Sequence, residues 1–158
     1  MQVIQALWAA PHVNFEGSWR HINDAGVNPL PISRHIPIWF GGPHDLTLRR
    51  IAKWGDGWMM NAHPAGAAAE ANLAILRAYA KQEGRDPASI GVEIWVSTGA
   101  GDEASWREES KYWKSADVTH VTVNSAFERN HHKRIASRSL RAHLTALERY
   151  RDAVADLL

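Results

Sequence analysis

Residues 37–60 of the chain read PIWFGGPHDLTLRRIAKWGDGWMM, and this stretch decides the fold. Its first apolar run, residues 38–40, lies between a proline and a glycine pair, as expected of a short strand that ends in a turn. Residues 46–54 carry apolar side chains at helical spacing, and Pro43 suits the first turn of a helix. Residues 58–61 predict a second strand. The stretch therefore reads as a strand, a glycine turn, a helix and a strand.

The alternation of strands and helices continues to the end of the chain. The predicted elements are a helix over residues 66–83, a strand over 92–96, a helix over 102–115, a strand over 119–125 and a last helix over 140–154. The helices carry apolar side chains on one face, and the strand over 92–96 alternates apolar and polar residues. Residues 37–158 thus form four strand-then-helix units. They predict an α/β chain with a parallel sheet, either doubly wound or part of a barrel.

The first 36 residues do not share this pattern. Residues 1–11 have apolar side chains at helical spacing, but no capping residue stands before them, so we expect the chain to open inside a helix. Residues 12–36 contain β-prone runs on both sides of Glu16-Gly17, followed by two prolines. They predict a small hairpin and an extended connection.

Composition places the chain among soluble globular proteins and excludes several functions. Its 158 residues are enough for one domain with a real core. Lys and Arg number 18 against 17 Asp and Glu, so the net charge of +1 predicts neither a nucleic acid nor a membrane partner. The absence of cysteine excludes disulfides, thiolate nucleophiles and cysteine zinc sites. With no secretory signal and no membrane-length apolar run, we expect a cytoplasmic location.

The glycine pair Gly41-Gly42 is the first candidate binding feature. It lies where a predicted strand turns into a helix. Glycine lets backbone N–H groups approach a ligand closely, and a helix N-terminus adds partial positive charge, so the expected ligand is a phosphate. A tight strand-to-helix turn also needs glycine for purely structural reasons. The full G-x-G-x-x-G fingerprint of a dinucleotide site is absent.

Small polar side chains follow the other three predicted strands, at the end where parallel sheets and barrels bind ligands. They are Asn61 and His63, Ser97 and Thr98, and Asn124 and Ser125. The loop over 128–138 is basic and admits two interpretations. It is either a phosphate site, frequent after the last strands of barrels, or an ordinary solvated loop, which we favour.

Neither a metal site nor a catalytic group stands out in the sequence. His131 and His132 are adjacent, so their side chains need not converge, and no carboxylate lies close enough along the chain to complete a metal site. No Ser-His-Asp order or pair of carboxylates is recognisable. The catalytic residues are therefore unknown at this stage.

Three segments together resemble the luciferase-like flavin- or deazaflavin-dependent oxidoreductases. They are VNFEGSWRHINDAGVNPLP at residues 13–31, PIWFGG at 37–42 and GDGWM at 55–59. The resemblance implies a (β/α)8 TIM barrel with an insertion before its fifth strand. The four strands of this chain would be strands five to eight, with residues 12–36 as the insertion and residues 1–11 as the end of the preceding helix. The chain is then a single-domain fragment, the C-terminal half of the barrel.

The resemblance also implies a cofactor and the residues that hold it. Family members use reduced FMN with oxygen, or a deazaflavin of the F420 type for hydride transfer, and the sequence does not choose between them. Gly41 and Gly42 match the turn that holds the cofactor's phosphate end, with His44 and Asp45 just beyond. Asn61 falls near a position that approaches the cofactor or substrate. The strands that usually supply the catalytic acid or base are the first four, so we expect the catalytic groups in a missing half.

Three hypotheses follow for function. The chain is a truncated luciferase-like monooxygenase or oxidoreductase that is inactive alone. Alternatively, two copies, or this chain and a separate N-terminal half, close a barrel that binds the cofactor and a small-molecule substrate. The third hypothesis is a binding or interaction module that keeps the phosphate turn and has no chemistry of its own.

Overall fold

The structure is a computed structural model that describes residues 1–157, and it divides into two compact units, Met1–Ile38 and Trp39 onward. The first unit contains helix α1 (Gln2–Ala9) and strands β1 (Val13–Glu16) and β2 (His21–Ala25). The two strands pair antiparallel, which confirms the predicted hairpin. The N–H of Gly17 closes its turn by donating to the carbonyl of Arg20 at 2.9 Å.

The second unit is a parallel four-stranded sheet with four helices. Its strands are β3 (Trp39–Gly41), β4 (Gly57–Met59), β5 (Gly91–Ser97) and β6 (His120–Asn124), in the spatial order β3-β4-β5-β6. Its helices are α2 (Asp45–Trp54), α3 (Ala67–Gln82), α4 (Glu103–Ser115) and α5 (Leu140–Val154). All neighbouring strands are parallel, which confirms the α/β prediction. The second predicted strand begins one residue early and already ends at Met59.

The helices begin in chemically different ways. At α4 the Asp102 carboxylate accepts from the N–H of Ser105, whose hydroxyl accepts from the N–H of Asp102, so this N-terminus is capped reciprocally. At α2, by contrast, no side chain caps the N-terminus, and His44 occupies the cap position. No helix within residues 1–157 combines the length and the apolar character needed to cross a membrane.

The core lies between one face of the sheet and the four helices. In β5, Val92, Ile94 and Val96 point into it and are at most 6% exposed. The residues that pack around them include Leu48 and Ile51 of α2, Leu73 and Leu76 of α3, and Trp106 and Trp113 of α4. The residues that alternate with the core positions, Glu93, Trp95 and Ser97, belong to the other face of the sheet.

On that other face, one indole covers the amino-terminal ends of two strands. Trp39 begins β3, and a Cβ added at Gly57 or Gly91 would come within 2.2 Å and 2.5 Å of its ring. Its ring also meets His120 edge-on, with centroids 4.9 Å apart. The indole therefore spans from β3 to the start of β6, and the two glycines provide the space for it.

Candidate functional site

The carboxyl ends of the four parallel strands lie along one edge of the sheet, where the sequence predicted a ligand. The polar residues beyond β4 and β5 are brought together there, as Asn61 and Ser97 both contact the side chain of His132. The glycine turn lies at the end of β3, next to β4 in the sheet. The candidate site thus begins at Gly41 and continues along the strand ends toward β5.

The two glycines of the turn differ, because backbone conformation accounts for Gly42 but not for Gly41. Gly42 has φ +121°, a conformation that L side chains rarely adopt, and its carbonyl accepts from the indole Nε1 of Trp58 at 3.0 Å. Gly41 is exposed, and a Cβ added to it would meet only Met59 Cε at 3.8 Å, an ordinary contact. Packing within the chain therefore leaves the space above Gly41 open.

The structure places His44 and Asp45 at the start of α2, just after the turn. His44 is exposed at the uncapped N-terminus. Asp45 is also exposed, and its carboxylate accepts from Arg49 Nε at 2.8 Å and from the Tyr79 hydroxyl of α3. The hydroxyl of Tyr79 and the Arg49 guanidinium lower the pKa of Asp45. Its contacts tie α2 to α3, and its predicted cofactor role stays a prediction.

His132 organises the centre of the strand ends. Its side chain is only 2% exposed, so for this residue the interpretation of the basic loop as ordinary solvated chain is wrong. Its Nε2 lies 2.8 Å from the carbonyl of Asn61 and its Nδ1 lies 3.1 Å from Ser97 Oγ. A carbonyl can only accept, so Nε2 carries the proton. The Ser97 hydroxyl facing Nδ1 also accepts from the N–H of Lys133.

The polar residues beyond β6 serve the loop itself. The amide oxygen of Asn124 accepts from the N–H of Phe127 at 2.9 Å, and its Nδ2 donates to the carbonyl of the same residue at 2.8 Å. The Ser125 hydroxyl lies 2.9 Å from His143 Nδ1 of α5. Both side chains already have partners, so they shape the loop at this end of the sheet.

Two buried polar atoms near the strand ends have no hydrogen-bond partner within residues 1–157, His63 Nε2 and Thr98 Oγ1. Burial, together with His132 and His63 nearby, lowers the pKa of His131. Although three histidines lie in this region, no group of His, Asp and Glu side chains in the described part of the chain is arranged to hold a metal ion.

The sequence did not identify His132, which joins the strand ends, or Glu109, which lies in α4 beside them. The contacts of His132 reach back 35 and 71 residues, and no local pattern predicts them. Glu109 left a readable signal, because it stands three residues after Trp106 and four before Trp113 on the apolar face of α4. Burial raises the pKa of Glu109.

Curated relatives align with most of the chain. The pyrimidine monooxygenase RutA of Allorhizobium ampelinum is 29% identical over 124 residues, which make up 75% of this chain and 32% of that protein. An F420-dependent hydroxymycolic acid dehydrogenase of Mycobacterium tuberculosis is 26% identical over 113 residues, 71% of this chain and 30% of that protein. The chain therefore spans about a third of the length of these relatives.

Solved structures share the fold at low sequence identity. An F420-dependent secondary alcohol dehydrogenase, in complex with an F420-acetone adduct, superposes with a TM-score of 0.71 and 13% identity, covering 98% of this chain and 58% of the other. A coenzyme F420 dependent tetrahydromethanopterin reductase from Methanopyrus kandleri superposes with a TM-score of 0.63 and 16% identity, covering 77% of this chain and 54% of the other. These likenesses concern the fold alone.

The sequence profile of the luciferase-like monooxygenase family gives the decisive comparison. It matches residues 1–157, which is nearly the whole chain. The resemblance carried by the segments around the hairpin, the glycine turn and β4 is thereby confirmed. The chain belongs to the luciferase-like monooxygenase family.

Proposed function

We propose that the chain is the C-terminal half of a luciferase-like (β/α)8 barrel and holds the cofactor of an oxidoreductase or monooxygenase. Strands β3 to β6 would be the fifth to eighth strands of that barrel. Residues 12–36 would be the insertion before the fifth strand, and residues 1–11 the end of the preceding helix. Family membership and the parallel order of the four strands support this assignment.

The observation that carries the cofactor proposal is the open space above Gly41. A side chain there would meet only ordinary contacts within the chain, so packing does not account for the glycine. Close approach of a ligand to the backbone does account for it. The uncapped N-terminus of α2 adds partial positive charge beside it, which suits the phosphate end of FMN or F420.

The roles of the residues follow from their places along the strand ends. Backbone N–H groups at Gly41 and Gly42 would hold the phosphate, with His44 and Asp45 at the rim. Asn61, whose carbonyl is held by His132, would face the cofactor ring or the small-molecule substrate. The bound flavin or deazaflavin supplies the redox chemistry. No residue of this chain is assigned as its acid or base, because the first four strands usually provide it.

The proposal is tested by titrating the purified chain separately with FMN and with F420 and following cofactor fluorescence. Saturable binding of one cofactor is expected, together with a loss of at least about tenfold in affinity for Gly41→Val, whose side chain fills the open space. Ala78→Val is the control, since it places the same valine side chain at an exposed position of α3. Absence of binding to both cofactors, or equal binding by Gly41→Val, contradicts the proposal.

Completion of the barrel by another chain is a second proposal, with a second copy or a separate N-terminal half as the partner. Strands β3 and β6 stand at the edges of the four-stranded sheet, and exposed edges favour pairing with another chain. A binding module without chemistry is the alternative, and family membership favours the oxidoreductase. Cofactor-dependent turnover by the associated protein, with none by the monomer, would distinguish barrel completion from that module.

A further inference from the structure

A small cavity lies at the carboxyl end of β5, between α4 and the loop that follows β6. Its volume is about 220 Å³, equal to roughly seven water molecules at about 30 Å³ each. Trp95 of β5 and Trp106 of α4 form aromatic walls, and Glu109, His131 and His132 also line it. The space suits a ligand of a few heavy atoms with a partly apolar body.

Glu109 is the unusual residue of this cavity. It lies between Trp106 and Trp113 on the face of α4 that packs against the sheet, where both tryptophans are buried. No Lys or Arg forms an ion pair with it within residues 1–157. Its one direct partner is the indole Nε1 of Trp113, which donates at a long 3.3 Å. A carboxylate removed from water without a cation is costly, and such groups are enriched at functional sites.

No lysine or arginine within residues 1–157 supplies the missing positive charge. Burial raises the pKa of Glu109 and nearby His132 lowers it, but the two ring nitrogens of His132 face the Asn61 carbonyl and Ser97 Oγ and not the carboxylate. The pKa of His131 is lowered by burial, which favours its neutral form. The Tyr150 hydroxyl, also close to Glu109, bonds Ser110. The cavity therefore presents one acidic group between aromatic faces, which attract cations through their ring quadrupoles.

We propose that this cavity binds a compact organic cation, a primary ammonium or an amidinium group on a small body, with the Glu109 carboxylate as its counter-ion. Trp95 and Trp106 would enclose the cation, and the neutral imidazole of His131 would accept a hydrogen bond from it. The cavity shares His132 with the strand ends but uses none of the residues of the glycine turn, so its ligand is tested separately from the cofactor.

The probes are methylammonium chloride and guanidinium chloride, titrated at constant ionic strength against sodium chloride. Tryptophan indole N–H signals in the NMR spectrum report binding, since two indoles form the walls. Saturable shifts of the Trp95 and Trp106 signals are expected with at least one organic cation and not with sodium. Glu109→Gln keeps the shape and removes the charge, so it should weaken binding about tenfold or more.

Glu108→Gln is the matched control, because Glu108 is the adjacent acid on the exposed side of α4, where it pairs with Lys111. It should bind the probe within about twofold of the parent chain. The proposal is overturned if neither organic cation gives saturable shifts in the parent chain, if acetate shifts the same signals equally, or if Glu109→Gln binds like Glu108→Gln. The titrations with organic cations and with acetate use only the parent chain, so they test the proposal even if a variant folds poorly.

The two proposals also separate experimentally. Glu109→Gln should leave binding of FMN or F420 at the parent affinity, and Gly41→Val should leave binding of the organic cation unchanged. Loss of cation binding in Gly41→Val would contradict an independent site.

Discussion

Three glycines of the sheet differ in whether packing explains them. Gly57 and Gly91 stand at the starts of β4 and β5, and Gly41 stands at the end of β3. Gly57 and Gly91 lie under the indole of Trp39, so packing inside the chain excludes a side chain there. Gly41 has no such neighbour. Gly57 and Gly91 are therefore explained by packing against Trp39, whereas Gly41 borders the space that we assign to a cofactor.

Gly57→Ala tests this distinction through stability. Its Cβ would lie 2.2–2.4 Å from three ring atoms of Trp39, so the free energy of unfolding should fall by about 1–3 kcal/mol. Gly41→Ala should change it by less than about 0.5 kcal/mol. Urea unfolding followed by circular dichroism measures both. Combining Gly57→Ala with Trp39→Leu should restore part of the loss, and strictly additive losses would contradict the predicted clash.

His132→Ala should destabilise the chain by about 1–3 kcal/mol, because it removes the partner of the Asn61 carbonyl and of the Ser97 hydroxyl. His131→Ala serves as the control. His131 precedes His132 in sequence and is exposed, so its replacement should lower the free energy of unfolding by less than about 0.5 kcal/mol. Chemical denaturation of the two variants side by side makes the comparison. Equal stabilities would show that His132 does not hold the strand ends together.

Among the elements, α4 and the end of α5 are joined by an ion pair that depends on pH. Arg107 donates to both carboxylate oxygens of Asp156 and, at 2.9 Å, to the carbonyl of Ala153. Arg107 lowers the pKa of Asp156 from 3.8 to about 2. Since the folded-state pKa is the lower one, the pair stabilises the fold fully above pH 3.8, and this contribution disappears as the pH falls toward 2.

Asp156→Asn should therefore lower the thermal unfolding midpoint at pH 6, and the difference from the parent chain should shrink steadily below pH 3.8. Differential scanning calorimetry from pH 6 to pH 2.5 measures it. Asp152→Asn, which alters an exposed pair within α5, is the control and should show a smaller effect. A gap between parent and Asp156→Asn that stays constant down to pH 2.5 would contradict the assignment.

The order and type of the elements could be predicted from sequence because periodicity records which side of each element is buried. The α2 face of Leu48, Ile51 and Ala52 and the alternation in β5 were both correctly predicted. The end of β4 was misplaced, because the apolar run continues through Met60, which is buried and still donates its N–H to the Glu93 carbonyl of β5 just past the end of the strand.

The site could be predicted only where it is local in sequence. Gly41-Gly42 stand at a strand-to-helix junction, and the turn is found there. The partner of Asn61 is a histidine 71 residues later, so only the folded sheet brings the two together. Glu109 could have been noticed as a charge on an apolar helix face, although the cavity beside it depends on the loop after β6.

At the scale of the whole molecule, the exposed side of the last strand and helix bears on association. Leu140, Leu144 and Leu147 lie on α5 at helical spacing and are 74%, 50% and 38% exposed, and Val121 of the edge strand β6 is 42% exposed. Apolar side chains exposed beside an unpaired strand favour contact with another chain.

Sedimentation velocity should therefore show concentration-dependent association of the parent chain, and Leu144→Glu should reduce it at least severalfold. Ile75→Glu is the matched control, because Ile75 is 39% exposed on α3, a helix that packs within the unit away from β6. A parent chain that remains monomeric at high concentration would contradict association through this surface.

The indole of Trp39 makes the two ends of the sheet different. At the amino-terminal ends of β3, β4 and β5, the indole ring of Trp39 lies over Gly57 and Gly91 and covers the face that carries Glu93. Toward the other end of the same face, Trp95 packs against Phe127 and His132 of the loop that follows β6. We therefore expect a ligand on this face to lie at the carboxyl ends of the strands, where the backbone at Gly41 is open.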